Sequence, residues 1–266
     1  ESAELVTNGS FDTDTNWIHR TSSSVISNGT LSWDGTQVAA DDVFQQKTGY
    51  VGKFVKMTIT ISAYTQGSVF LRAGSSQVPT SHSSIGTFTE IFLWLGNDYI
   101  YVKASDDFIG SIDNVSVKEV GQDWTFGTGW SVGEDKAVAN TTGSTNGLLQ
   151  TSTITSGKIY KATFEVLDYQ SGSVRINLGG AGLTGVGNLV SANGVYTQYI
   201  TSDGVDVYMQ GRVGFNGSIT NISVKEVGQN WIFENGTTIG EDKAIISGDG
   251  SLAGRIEQAN VFSSGK

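Results

Sequence analysis

The undecapeptide NVSVKEVGQDW at residues 114–124 returns as NISVKEVGQNW at residues 221–231, with nine of the eleven positions identical. The offset is 107 residues, and the same offset carries GEDKAV at 133–138 onto GEDKAI at 240–245. Two separate matches at one offset identify an internal repeat rather than an accident of composition. A looser match sets GKFVKMTITI, from Gly52, beside GKIYKATFEV, from Gly157. The sequence given stops at Gly265-Lys266, where a third copy would begin this strand. A period of that length is too long for a solenoid unit and fits one β-sandwich domain. The expected organisation is a first repeat over residues 1–120, a second over 121–227, and the truncated start of a third over 228–266.

Within the first repeat, strands are expected at residues 30–33, 55–62, 68–73, 87–95, 99–105 and 111–120. These stretches alternate or run apolar, are rich in Val, Ile, Thr and aromatic residues, and are bounded by Gly, Asn, Asp and Ser. No segment sustains a 3.6-residue period, so helix is expected to be minor. The fold class that follows is all-β, a tandem of antiparallel β-sandwich (jelly-roll) domains. The strand NVSVKEV runs through Gly121-Gln122 straight into Asp123-Trp124, a link short enough to suit stacked modules. Trp124 and Trp231 occupy the same place after each repeat and read as core or interface residues.

Composition agrees with that class. Glycine supplies 35 of 266 positions, about 13% against a usual 7%, while proline occurs once. Aromatic residues make up 10% and charged residues only 16%, which can build a core and disfavours disorder. The net charge of −10, with no basic cluster, argues against nucleic acid and anionic membranes as partners. Zero cysteines exclude disulfides, thiolate metal sites and cysteine nucleophiles. The longest apolar run, IFLWLG at 91–96, is far short of the roughly 20 residues of a membrane-spanning helix. The chain begins at Glu1 without Met or a signal-type segment and reads as a processed product or a piece of something longer.

The residues offer little for catalysis. His19 and His82 are the only histidines, and neither a nucleophile elbow nor an HExxH motif is present. Glycines 180, 182 and 185 spell GxGxxG, but the following residues are Gly-rich and polar with no helix to hold a phosphate, so they read as a β loop. The acid pairs Asp41-Asp42, Asp106-Asp107 and Glu134-Asp135 read as solvated turn acids, because adjacency in sequence does not provide the spacing of a catalytic carboxylate pair. The expectation is a non-enzymatic protein.

A hairpin turning at Asn97-Asp98 would segregate its two faces. It would place Ile91, Leu93, Leu95, Ile100 and Val102 on a core face, and Phe92, Trp94, Tyr99, Tyr101 and Lys103 outward. A matching hairpin at Asp203-Gly204 would turn Ile200, Val205, Val207 and Met209 inward, with Tyr199, Thr201, Asp206 and Tyr208 outward. Pyranose rings present C–H faces to flat aromatic rings and hydroxyls to polar neighbours. Trp94, Tyr99, Tyr101, Lys103, Tyr199, Asp206 and Tyr208 are therefore the expected carbohydrate-binding residues, the alternative being that these strips are covered by another loop, module or chain.

The framing strings of the first repeat, LVTNGSFDTDTNW at 5–17 and SIDNVSVKEV at 111–120, resemble those of jelly-roll carbohydrate-binding modules, and the closing string also resembles repeated modules of bacteriophage tail-fibre and other virion structural proteins. The second repeat keeps the closing strand but lacks NGSF, and Thr220 stands where the first repeat has Asp113. The resemblance implies a structural Ca²⁺ between the first and last strands, held at Asp12 and Asp113 with Asn8 or Asp14 nearby, and such oxygen donors suit that ion. Seven NxS/T sequons, at Asn8, Asn28, Asn114, Asn140, Asn216, Asn221 and Asn235, are assigned no role.

Together these features imply a non-enzymatic phage virion fibre or decoration protein, displayed on a virion surface or otherwise extracellular, that adheres to a cell-surface glycan or polysaccharide. Its expected partners are copies of itself, as a trimer, or other virion proteins, with no nucleic acid and no membrane insertion. The alternative is a set of carbohydrate-binding appendage modules of a secreted bacterial glycan-degrading protein.

Overall fold

In the computed structural model, residues 2–76, 80–142, 147–179, 185–241, 243–247 and 253–258 are described. The chain forms two compact units, Glu1–Gln122 and Asp123–Lys266. In the first unit the strands are β1 (Ile18–His19), β2 (Ser24–Ser27), β3 (Thr30–Asp34), β4 (Asp41–Gln46), β5 (Phe54–Gln66), β6 (Val69–Ala73), β7 (Gly86–Leu93), β8 (Tyr99–Ala104) and β9 (Ile109–Val120). They make two antiparallel sheets, one ordered β2-β3-β9-β5-β7 and the other β1-β4-β8-β6. Among the described residues there is no helix, and the class is all-β as the periodicity implies.

Alternation decides what goes inside. Val55, Met57, Ile59 and Ile61 of β5 are fully buried, while Lys56, Thr58 and Thr60 between them are only partly so. They pack with Trp33, Phe11, Phe108, Ile100 and Val102 into one core between the sheets. On β9, Ile112 and Val115 both face that core although three positions separate them. A bulge makes this possible: the ladder shifts register between Thr58–Ser116 and Thr60–Asp113, and Asn114 takes a left-handed φ of 52°. Asn tolerates that conformation better than most residues. Asn221, 107 positions on, repeats both the bulge and the φ of 52°.

The expected hairpin at Asn97-Asp98 does not form. β7 pairs with β5, whereas β8 pairs with β4 and β6, so residues 94–98 cross from one sheet to the other. Trp94 is fully buried at this crossing, its Nε1 donating to the Asn97 carbonyl at 2.7 Å and its ring stacked on Tyr50 at 6.0 Å. Leu95, expected inside, is 48% exposed. On β7 it is Phe88 and Phe92 that pack against the core, the face opposite to the one expected. A strand that leaves for the other sheet needs no register with its successor, so the facial pairing assumed for a hairpin fails here.

The second unit contains β10 (Thr125–Phe126), β11 (Trp130–Gly133), β12 (Lys136–Asn140), β13 (Gly147–Gln150), β14 (Ile159–Leu178), β15 (Gly194–Thr201) and β16 (Val207–Val227). β14 and β16 are long because each runs through what are two strands in the first unit. The β14–β16 ladder shifts register between Leu167 and Ser173, and left-handed Gly172 lies in that stretch. A Cβ on Gly172 would lie 2.4 Å from the Phe215 nitrogen, so the close approach requires glycine. Phe164, Val174, Ile176, Met209 and Phe215 form the centre of this unit's own core. Here too the expected hairpin is absent: β15 pairs with the first half of β14, while the start of β16 pairs with β13 and the second half of β14. Ile200, Val207 and Met209 are buried as expected, but Val205 is 46% exposed.

After Val227, β17 (Trp231–Glu234) pairs with β20 (Arg255–Gln258), and β18 (Thr237–Gly240) pairs with β19 (Lys243–Ile246). The β18–β19 hairpin lies 107 positions after that of β11 and β12. Asn16, Asp123 and Asn230, each directly before a tryptophan, have φ of 68°, 68° and 69°. Trp124 packs partly buried against the second core, whereas Trp231 is 47% exposed.

Candidate functional site

The outer face of the β1-β4-β8-β6 sheet gathers aromatic and charged side chains. Inward positions carry Val43, Val69, Leu71, Ile100 and Val102, so period-two alternation turns Asp42 and Phe44 of β4, Phe70 and Arg72 of β6, and Tyr99, Tyr101 and Lys103 of β8 the other way. Register brings them together: Tyr101 lies between Phe44 and Arg72, and Lys103 between Asp42 and Phe70. Phe44 meets Tyr99 at 5.5 Å edge-on and Tyr101 at 5.6 Å, with Tyr99 and Tyr101 6.1 Å apart. Such tilted contacts between rings are favourable geometries. Phe44, Phe70 and Tyr99 remain partly exposed, while Tyr101 is almost buried among its neighbours.

Charge on this face is set by a few pairs. Arg20, just past β1, donates from Nε to Asp42 Oδ1 at 2.7 Å, and that carboxylate holds the guanidinium above its ordinary pKa. Arg72 places its guanidinium carbon 4.7 Å from the Tyr101 ring centroid and donates from Nε to the Gly74 carbonyl at 2.5 Å. Lys103 Nζ sits 5.7 Å from the centroid of Phe70. These separations are within the range of cation–π attraction.

Of the residues expected from sequence, Tyr99, Tyr101 and Lys103 therefore share one outer face, and Trp94 does not. Its burial removes it from any surface platform, because its indole fills the core at the crossing between sheets. Arg20, Asp42, Phe44, Phe70 and Arg72 were not anticipated. Asp41 and Asp42, read as solvated turn acids, are both buried instead. Asp41 accepts the indole N–H of Trp33 at 3.0 Å, and Asp42 is bound by Arg20. The other two pairs are exposed.

The second unit does not repeat this face. Tyr208 occupies the place of Tyr101 in the ladder, but its cross-strand neighbours are Leu149 and Asn177 where the first unit has Phe44 and Arg72. Gln210 stands where Lys103 does and accepts from Arg175 Nε at 3.0 Å. Burial raises the Tyr208 hydroxyl pKa and lowers that of Arg175, the latter helped by Arg212. Tyr199 belongs to the other layer, opposite Lys161, whose Nζ is 5.9 Å from its ring, beside a cavity of about 570 Å³ that Gln198, Asn188 and Glu241 also line. Asp206 accepts from the Ser152 amide at 2.9 Å. Tyr199 and Tyr208 do not form one strip.

At the framing segments, the Gly9 carbonyl accepts from the Val115 amide at 2.9 Å, which holds the NGSF loop against β9. Ser10 Oγ donates to Asp12 Oδ2 and the Asn114 amide to Asp113 Oδ1, each at 2.6 Å. Among the described residues no three His, Cys, Asp or Glu side chains are grouped to hold a metal ion. A cation bound by Asp12 and Asp113 would need backbone or hydroxyl oxygens to complete its shell, a donor set that Ca²⁺ accepts. Glycines 180 and 182 of the GxGxxG string lie outside the described residues.

No protein-family model matches the sequence, and no curated protein does. Among solved structures, the N-terminal CBM22-1–CBM22-2 tandem domain of Paenibacillus barcinonensis Xyn10C aligns with 85% of this chain and 98% of its own, at 11% identity and a TM-score of 0.34. A likeness of that degree does not bear on function, which rests on the geometry of the face itself.

Proposed function

We propose that this protein is a non-enzymatic glycan-binding fibre or decoration component of a phage virion, built from tandem β-sandwich repeats and used for adhesion to cell-surface polysaccharide. The observation that carries the binding role is the Phe44–Tyr99–Tyr101 cluster on the outer face of a sheet, in which Phe44 and Tyr99 are partly exposed and Tyr101 supports them from beneath, flanked by donors and acceptors. Flat rings take sugar C–H faces while Arg72, Lys103 and the Tyr99 hydroxyl meet sugar hydroxyls. The virion context is supported by the 107-residue repeat and by the DNVSVKEV-type ending. Self-association into a trimer belongs to the same reading, since several weak sites on one assembly gain through effective concentration. So does a structural Ca²⁺ at Asp12 and Asp113.

A glycan array probed with the wild-type chain and with Tyr99→Ala tests the binding role. Selective retention is expected for the wild type, weakened about thirtyfold in the variant if this ring carries about 2 kcal/mol. No retention of any glycan by a folded wild type would overturn it. Light scattering tests assembly, and a clean monomer at tens of micromolar would remove the self-assembling fibre while leaving glycan binding intact. The same modules serving as appendages of a secreted glycan-degrading protein would share the face and bind equally as monomers.

A further inference from the structure

We infer that the platform on the first unit selects an acidic glycan, one bearing carboxylate groups of the uronic-acid kind, over its neutral counterpart. This rests on the glycan-binding reading above and adds the chemical class of the ligand. The chain as a whole is strongly acidic, at −10, so an acidic face would be the default. The platform departs from it. Arg20, Arg72 and Lys103 lie there with Asp42, which is taken by Arg20, while the neighbouring Asp41 is buried beneath the sheet against Trp33 and also acts on Arg20. At the rim, Lys47 and Asp98, joined through their backbones, add one charge of each sign, while Asp106 and Asp107 follow β8 at the other end, so the cations that matter are Arg72 and Lys103 on the face itself.

The two remaining cations are held in place rather than extended into water. Arg72 is fixed by the Gly74 carbonyl and the Tyr101 ring, and its Nη1 and Nη2 lie outside that hydrogen bond. Lys103 lies along Phe70. A guanidinium held by its Nε beside an aromatic ring suits a planar carboxylate, which can take two parallel N–H bonds. Ordering these side chains before binding lowers the entropy lost on binding. A uronic acid offers what this face can read at once: a C–H face for the rings and a carboxylate for the cations. The second unit arranges its cations differently, with Asn177 and Gln210 at the positions of Arg72 and Lys103 and Arg175 in the place of Phe70, its Nε taken by Gln210.

The test is calorimetric titration of the full chain with a uronic-acid oligosaccharide and with the same oligosaccharide after reduction of its carboxyl groups to alcohols. The acid form is expected to bind at least tenfold tighter at low salt, with the gap narrowing as ionic strength rises, because exposed charges are screened. Arg72→Gln and Lys103→Gln should each weaken the acid form more than the reduced form and so shrink the gap, whereas an equal loss for both forms would count against a carboxylate contact. Equal affinity for the two forms would overturn the acidic preference and leave the glycan-binding reading standing. Binding of neither form would overturn the acidic preference, and the glycan array then decides the glycan-binding reading separately. A sulfated oligosaccharide of the same length binding more tightly than the carboxylated one would overturn the assignment of carboxylate.

Discussion

Replacing Trp94 with alanine separates a core role from a surface role in one experiment. Its side chain has no exposure, its Nε1 donates to the Asn97 carbonyl at 2.7 Å, and its ring stacks on Tyr50. Trp94→Ala removes the largest fully buried side chain of the unit and opens a cavity at the crossing between sheets. Large-to-small changes of this kind cost about 3–5 kcal/mol. For a unit of this size that is a fall of roughly 10–25 °C in its melting temperature. Trp94→Phe keeps most of the volume but forfeits the indole donor, and should cost about 1–2 kcal/mol. Differential scanning calorimetry of the full chain resolves the assay, with the second unit's transition as an internal reference expected to stay in place. Glycan affinity of the fraction still folded should be unchanged in Trp94→Phe. A first-unit transition that does not move in Trp94→Ala, together with lost glycan binding, would refute the burial and restore the surface role.

Three further perturbations probe the first and second units. Asp41→Leu leaves the buried indole N–H of Trp33 without its acceptor and should cost about 1–3 kcal/mol, whereas the double change with Trp33→Phe should recover part of that loss; strictly additive penalties in a double-mutant cycle would refute the pairing. Chelation should lower the melting temperature of the first unit more than that of the second, since only the first has both Asp12 and Asp113; no shift in a preparation shown to hold calcium would remove the site. Lys136 and Ser218 hold the Asp168 carboxyl below its ordinary pKa, so the stability it contributes is complete above the unfolded value near 4 and is lost as pH falls through the folded one. Lys136→Met should therefore lessen the acid sensitivity of the second unit's melting, and an unchanged acid limb would count against the pair.

Sequence periodicity by itself determined most of the framework. The 107-residue repeat, the all-β class and the strands at 55–62, 68–73, 87–95, 99–105 and 111–120 were legible because alternation in VKMTITIS or VFLRA encodes which side chains are buried. The same alternation places Phe70 and Arg72 on one face and Tyr99, Tyr101 and Lys103 on another stretch of it. β4 was not legible, since DDVFQQ offers one aliphatic residue between acids and amides, and its buried Asp41 is tolerated only because Trp33 donates to it. What the tertiary structure alone decided is which strands are neighbours. Local pattern fixes the face a residue takes within its own strand, but pairing partners are set by the global closure of two sheets over one core. β7 and β8, consecutive in sequence, belong to different sheets, so Trp94 turned inward at the crossing, and Phe44 and Arg72, 57 and 29 residues away from Tyr101, were brought to its two sides.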